Sequence, residues 1–152
     1  ALPIWSLVTV DGHHGLSCRH GSGRHSRNNQ VNDILCRALN SAGAYATREP
    51  HSLCGRSDKR PDGVTQIPWR RGRCLAWDAT CPNTYAQSYV QATSRHAGSA
   101  AAGAEVKKQQ KYEDLNAGVD FVPFAIETSG VWGRTSDGTR HGDWSSNCRS
   151  KP

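Results

Sequence analysis

The sequence predicts an α/β fold, in which a small mixed β-sheet is flanked by helices within one domain. A chain of 152 residues fits one domain and can bury a core without cross-links. Apolar residues recur at helical spacing in two segments, and short apolar runs bounded by Gly, Pro and Asp indicate strands. The resulting order of helix, strand, strand pair, helix and strand is typical of one sheet packed against helices.

The first helix is predicted over residues 31–42, where the apolar positions follow helical spacing. Asn28 or Asn29 would cap its start, and Gly43 lies where a left-handed terminus is expected. Residues 11–30, which are rich in Gly, Ser, His and Arg, are predicted to form a loop before this helix.

Three strands are predicted after this helix. Residues 44–49 suit a short strand that Pro50 stops, and residues 64–69 and 74–80 suit two more. The basic turn "RRGR" between the last two predicts an antiparallel hairpin.

A second helix and a last strand complete the predicted sheet. Residues 97–115 are Ala-rich and then charged, which predicts a helix whose first half is weakened by Gly98 and Gly103. Residues 121–127 predict an apolar strand, and Pro123 within it indicates an edge position or a bulge.

The chain is accordingly divided into three parts. Residues 1–30 form an N-terminal arm, which opens with an apolar strand or packing segment, and a loop rich in Cys, His and Arg. Residues 31–133 form the folded core, and residues 134–152 form a loose tail rich in Gly, Ser and Arg.

The net charge of +6 and the pI near 9.2 favour a polyanionic partner, with nucleic acid first. The alternative is a basic protein that binds no polyanion. The first ten residues are too short and wrongly flanked for a signal peptide or a membrane span, so no membrane partner is expected. We expect a nuclear or intracellular protein, with secretion left open; the sequence does not indicate the oligomeric state.

Six cysteines permit 15 pairings if all are oxidised, and none forms a CxxC pair. Cys36 lies in the helical pattern and Cys74 begins an apolar strand, so both resemble small buried hydrophobic residues. Reduced thiols are therefore favoured over a disulfide framework. A thiol titration separates the two.

Asp62 in "KRPDG" lies at the entry of one predicted hairpin strand, and Asp78 in "LAWDAT" lies inside the other. Hydrolysis of a phosphodiester needs a metal ion that neutralises charge, and Mg²⁺ prefers carboxylate oxygens. A hairpin would bring the two carboxylates together. The alternatives are that "RPDG" is an ordinary turn and that Asp78 lies near a strand end.

Lysines in the following helix could assist such a reaction. Lys108 and Lys111 in "KKQQKY" are candidates to orient the nucleophile or to stabilise charge on phosphorus. Alone, they would indicate a solvated face shared with Lys107 and Glu105.

An ordered series of motifs resembles the PD-(D/E)xK nuclease superfamily, and more closely the restriction-like endonuclease domain of site-specific non-LTR retrotransposons. The motifs cover roughly residues 12–133, and in order they are "GRHSRNN", helix 31–42, "REP", "KRPDG", "LAWDAT", "KQQKY" and "SGVWG". The resemblance implies a restriction-endonuclease-like core over residues 31–133 and metal-dependent cleavage of DNA. RNA is left open as an alternative nucleic-acid partner.

The resemblance also implies residue roles. Asp62 and Asp78 would hold Mg²⁺ or Mn²⁺. The usual acidic-x-Lys triplet has a lysine where this chain has Thr80, so the functional lysine would be Lys108 or Lys111 in the following helix. Tyr112 would lie beside the site. Weaker accessory acids would be Glu49 and Asp33.

Basic residues are the candidates for contacts with nucleic acid. Charge-assisted contacts between arginine and phosphate position DNA without reading its sequence. The resemblance assigns such contacts to Arg24 and Arg27, and the motif and the basic turn add Arg60, Arg70 and Arg71.

A zinc knuckle before the nuclease is also implied by the resemblance. His14 and Cys18 would be its last two ligands, but no cysteine lies upstream to supply the first two. Either His20, His25 or Cys54 substitutes, or these residues hold no metal. Loop histidines without zinc are the favoured interpretation.

Three functions therefore remain open at the level of sequence. The first is a metal-dependent DNA endonuclease. The second is a nucleic-acid-binding module of the same fold that has lost catalysis, which Thr80 favours. The third is a secreted, disulfide-bonded basic protein with a defence or matrix function, which the even number of cysteines leaves open.

Overall fold

A computed structural model describes residues 10, 22–50, 53, 59–115 and 118–135. Four strands form one mixed sheet in the order β1-β2-β3-β4, with the first three antiparallel and β4 parallel to β3. The elements in chain order are α1 (Ser22–Ser41), β1 (Ala46–Arg48), β2 (Gly63–Thr65), β3 (Cys74–Thr80), α2 (Val90–Thr93), α3 (Ser99–Lys111) and β4 (Val119–Ala125). The predicted α/β class with a small mixed sheet is confirmed.

Helix α1 begins much earlier than predicted. It starts at Ser22, so the expected loop over residues 11–30 is wrong for residues 22–30, and the expected boundary at residue 30 lies inside the helix. Asn28 and Asn29 do not cap the helix, because both lie inside it; the Asn28 Oδ1 instead accepts a hydrogen bond from the Cys81 N–H at 3.0 Å. The N-terminal turns are polar, so apolar periodicity does not reveal them; a tertiary contact holds them instead.

Gly43 ends this helix as predicted. Its φ of 78° is left-handed, which glycine adopts without steric cost. The Gly43 N–H donates to the Asn40 carbonyl at 3.0 Å, which satisfies a carbonyl in the last turn.

The β2–β3 hairpin is confirmed. Arg71 and Gly72 both have positive φ, 51° and 74°, at the centre of its tight turn. Strand β2 is shorter than predicted, because the Thr65 side chain takes over local hydrogen bonding: its Oγ1 donates to the Ile67 carbonyl and accepts from the Leu75 N–H. Strand β3 has the predicted bounds.

Strand β4 lies at the edge of the sheet, as Pro123 indicated. It runs from Val119 to Ala125, two residues earlier at each end than predicted. Its pairing with β3 is continuous from Cys74–Val119 to Thr80–Ala125, so Pro123 lies in a regular edge strand rather than in a bulge.

The two long helices pack on opposite faces of the sheet. Alternate β3 residues Leu75, Trp77 and Ala79 join the core cluster that α1 covers with Leu39. Asp78 on the other face contacts Lys108 of α3. Because side chains alternate along a strand, Asp78 lies on the α3 face of an otherwise apolar strand.

Several predictions lie partly or wholly outside the described residues. These include most of the N-terminal arm, the C-terminal tail beyond residue 135, and Cys18, Cys54 and Cys148. The described cysteines Cys36, Cys74 and Cys81 are free thiols. Within the described ranges, no helix has the length and apolar character needed to cross a membrane.

Candidate active site

Asp78 is the most buried acid of the site. Only 4% of its side chain is exposed, and both of its oxygens are engaged. Lys108 Nζ donates to Oδ1 at 2.5 Å, and the Tyr112 hydroxyl lies 2.6 Å from Oδ2. Lys111 Nζ is more distant, 3.9 Å from Oδ2. A buried carboxylate needs such partners, and α3 and Tyr112, the residue that follows it, supply them.

Tyr112 is a junction between the helix and the strands. Its hydroxyl lies 2.6 Å from Asp78 Oδ2 and 2.7 Å from the Arg60 carbonyl, and it accepts from Lys111 Nζ at 3.1 Å. A phenol has one hydrogen, so it donates to one of the two oxygens at a time. The ring packs 4.7 Å from that of Phe121, which fixes its position.

Asp62 lies immediately before β2, beside Asp78. Its Oδ2 accepts two hydrogen bonds, from the Ala79 N–H at 2.8 Å and from Asn32 Nδ2 at 2.9 Å. Burial raises the pKa of the Asp62 carboxyl, and the neighbouring charge of Asp78 raises it further, against the lowering effects of the two hydrogen bonds and of Lys108. The two carboxylates are therefore close enough to repel each other.

Asn32 is a site residue that sequence reasoning missed. It is buried on α1, donates to Asp62 and accepts from Trp77 Nε1 at 3.1 Å. Gly63 makes room for this arrangement, since a side chain there would overlap the Trp77 ring. The only signal in the sequence was a polar residue one position after Val31 in the helical pattern, which indicates no partner by itself.

The N-terminus of α3 is anchored by a second residue that was missed, Glu127. Its Oε1 accepts from the backbone N–H groups of Ala100 and Ala101 at 2.9 and 3.3 Å. A carboxylate there is favourable because the first N–H groups of a helix have no internal partner. This contact sets the position of α3 on β3 and β4, and thus where Lys108 arrives.

The accessory acids are paired with arginines. Glu49 lies 2.9 Å from Arg60, and Asp33 pairs with Arg48. The Glu49 N–H donates to the Asp62 carbonyl at 2.8 Å, which places its backbone next to the site. Its side chain neutralises Arg60.

The predicted phosphate contacts are dispersed. Arg27 on α1 lies beside the Cys81 thiol, and only the helical backbone of Arg24 is described. Arg70 is at the hairpin turn, 3.9 Å from Asp120, next to the exposed Arg71. This turn is roughly 20 Å from Asp78 along β3, at about 3.3 Å per residue.

The lysine helix is not a solvated face throughout. Glu105 is buried, and Lys108 points to Asp78 with 26% of its side chain exposed, against 45% for Lys111. The structure therefore distinguishes the two lysines that the sequence left equivalent.

The predicted zinc ligands His14 and Cys18 lie outside the described residues. Among the residues that are described, no group of three or more His, Cys, Asp or Glu could hold a metal ion. The acids available to a cation at this site are therefore the pair Asp62 and Asp78.

No protein-family model matches this sequence, and a search of curated proteins finds no significant match.

Proposed function

We propose that this protein is a metal-dependent DNA endonuclease related to the restriction-like endonucleases of retrotransposons. The observation that carries the proposal is the convergence of Asp62 just before β2, Asp78 on β3 and Lys108 on α3. Lys108 and Asp78 are 30 residues apart in the chain and only 2.5 Å apart in space. A merely solvated lysine face would not produce this contact.

The residues present suit a hard divalent cation. Mg²⁺ is commonly held by one or two carboxylates together with water and substrate phosphates, so a pair of acids is a sufficient protein contribution. Both described hydrogen bonds to Asp62 go to Oδ2, which leaves Oδ1 for a cation. Mg²⁺ or Mn²⁺ held by Asp62 and Asp78 would supply Lewis-acid stabilisation of the phosphate and a more acidic water.

The other residues position these groups and supply charge. Asn32 and the Ala79 N–H orient the Asp62 carboxylate through Oδ2. Lys108 places an ammonium group where negative charge would develop on a phosphate, and Tyr112 holds Asp78 in place from the opposite oxygen. Positive charge placed beside the reacting phosphate stabilises the charge that develops in the transition state.

DNA is the proposed substrate because the chain carries a net charge of +6. Arg71 is exposed on the hairpin turn, and phosphate contacts there would bind the duplex at a distance from the two aspartates. These contacts would confer affinity but no sequence preference.

The test is nicking of supercoiled plasmid in Mg²⁺ and in Mn²⁺ by the full chain and by Asp62→Ala and Asp78→Ala variants. We expect cleavage by the parent and a loss of at least about a hundredfold in both variants, the scale of removing one electrostatic group from an active site. Asp114→Asn is the matched control, because this acid is 87% exposed on the chain just beyond α3 and pairs only weakly with Lys59. Cleavage that survives both alanine substitutions would refute the assignment.

A binding module without catalysis is the second candidate. It is favoured by Thr80, which lies where the usual acidic-x-Lys triplet has lysine. It is also favoured by the ion pair that Asp78 already forms with Lys108. Salt-sensitive DNA binding in all four proteins, with cleavage by none, would establish this function instead.

A further inference from the structure

The positive charge next to Asp78 already comes from the protein. The Asp78 carboxylate is almost fully buried, and a buried charge without a counter-charge is costly. Lys108 Nζ contacts Oδ1 at 2.5 Å, and Tyr112 occupies the side of Oδ2. An incoming cation that binds Asp78 must use an oxygen that is already occupied.

We propose that Lys108 is the resident counter-ion of Asp78 in the metal-free protein, and that it competes with a divalent cation for this carboxylate. The inference rests on the proposed metal site. The lysine therefore opposes metal binding, in contrast to a residue that builds the site. Metal binding moves its ammonium group away from Asp78 Oδ1.

The competition follows from charge. An ammonium group and a divalent cation on one carboxylate repel each other strongly in a partly buried site, because the local dielectric constant is lower than that of water. Lys108 also lies near the second acid, because Asp62 accepts a hydrogen bond from the N–H of Ala79, the residue that follows Asp78. Lys108 thus reduces the repulsion between the two carboxylates, and a bound divalent cation would reduce it in the same way.

Lys108 is able to leave. Its side chain is 26% exposed, in the last turn of α3, and its four-carbon stem is flexible. The ammonium group can therefore move toward solvent or toward a bound phosphate without movement of the helix. In that position it is available to a polyanion, so cation binding and phosphate binding favour each other.

Lys111 is the matched control. It lies on the same helix and also approaches Asp78, but at 3.9 Å, and its Nζ donates to the Tyr112 hydroxyl at 3.1 Å. Its removal deletes the same formal charge and leaves the contact on Oδ1 in place. A general effect of net charge would alter both lysine variants equally.

The experiment is a titration of the full chain with Mn²⁺ alone. Binding is measured by calorimetry and by the electron paramagnetic resonance signal of free Mn²⁺. We expect Lys108→Met to bind Mn²⁺ at least about tenfold more tightly than the parent, and Lys111→Met to stay within about threefold. Asp78→Asn removes the shared ligand. In a protein that carries Asp78→Asn, the further substitution Lys108→Met should therefore leave the affinity for Mn²⁺ unchanged.

Thermal unfolding is a second measurement, and it can also be made on a variant of low stability. In EDTA, Lys108→Met leaves Asp78 without its counter-ion and should unfold at a lower temperature than the parent. Mn²⁺ should raise its unfolding temperature by more than it raises that of the parent. Lys108→Arg, which keeps the charge, should show no gain in Mn²⁺ affinity.

The outcomes separate the two proposals. Equal or weaker Mn²⁺ binding by Lys108→Met, with a parent that binds Mn²⁺, would overturn the competition and leave the metal site standing. Binding by Lys108→Met but not by the parent would support the competition in its strongest form. Failure of both to bind Mn²⁺ would overturn the metal site and the competition with it.

Discussion

Helix α3 has a buried carboxylate at each end, and the two are held in different ways. At the N-terminus, Glu127 is 2% exposed and accepts hydrogen bonds from two backbone N–H groups and from the hydroxyls of Thr84 and Ser129. At the C-terminus, Asp78 is equally buried but contacts the ends of two long side chains, Lys108 and Tyr112.

The difference separates a structural carboxylate from a reactive one. The partners of Glu127 are backbone groups and short side chains that cannot withdraw, so its geometry is permanent. The ammonium group that contacts Asp78 can swing away, which exposes a ligand oxygen. The end of α3 at Glu127 is therefore rigid and positions the helix. The end at Asp78 is exchangeable, because the ammonium partner of its carboxylate can be replaced.

The largest expected effect is at the rigid end. Glu127→Leu removes the acceptor for Ala100 and Ala101 at the start of α3 and leaves buried donors unpaired. We expect a loss of roughly 3–5 kcal/mol in the free energy of unfolding, measured by urea denaturation. Glu127→Gln, which keeps one oxygen for the backbone groups, should lose about 1 kcal/mol. Equal losses in both variants would show that charge, not hydrogen bonding, dominates.

A smaller effect is expected at the exchangeable end. Asp78→Asn keeps an oxygen for Lys108, and its amide can donate to the Tyr112 hydroxyl, which then donates to the Arg60 carbonyl. The substitution also removes the cost of burying a charge. We expect the free energy of unfolding to stay within about 1 kcal/mol of the parent while DNA cleavage is lost. A loss as large as that of Glu127→Leu would contradict the comparison.

The smallest expected effect is the pH dependence that Asp62 contributes. Burial first, and then the charge of Asp78, raises its folded pKa above the unfolded value of 3.8. The native state thus binds this proton more tightly, so stability is highest below the unfolded pKa and declines as pH rises through the folded pKa. Asp62→Asn should be slightly more stable than the parent at pH 7, with the advantage shrinking toward pH 3.8.

Thermal unfolding of both proteins between pH 3 and pH 7 measures this contribution. Asp114→Asn serves again as the control, because its exposed carboxylate should change the pH profile little. A parent whose stability rises with pH relative to Asp62→Asn would contradict the raised pKa.

Much of the site frame followed from local patterns. The turn at Arg71 and Gly72 predicted the hairpin, and the hairpin brings the start of β2 beside the end of β3. That pairing is why Asp62 and Asp78 could be predicted to lie together. The lysine helix was equally visible, because its Ala-rich and charged sequence has strong helical preference.

The selection among lysines could not be predicted. Lys108 and Lys111 occur one turn apart on one helix, and only the packing of α3 decides which of them reaches Oδ1 of Asp78. That packing depends on Glu127, which lies beyond the last strand. The polar start of α1 was invisible for the same reason, since Asn28 is held by Cys81, 53 residues away.

The sequence by itself determined the α/β class, the hairpin, and the placement of one acid at the entry of one hairpin strand and of another inside its partner. Turn geometry and side-chain alternation are local properties, so short segments encode them. Only the tertiary structure decided that Asn32 orients Asp62, that Lys108 neutralises Asp78 and that Glu127 anchors α3. Each of these contacts joins residues about 30 positions apart, and burial of polar groups, not local preference, selects their partners.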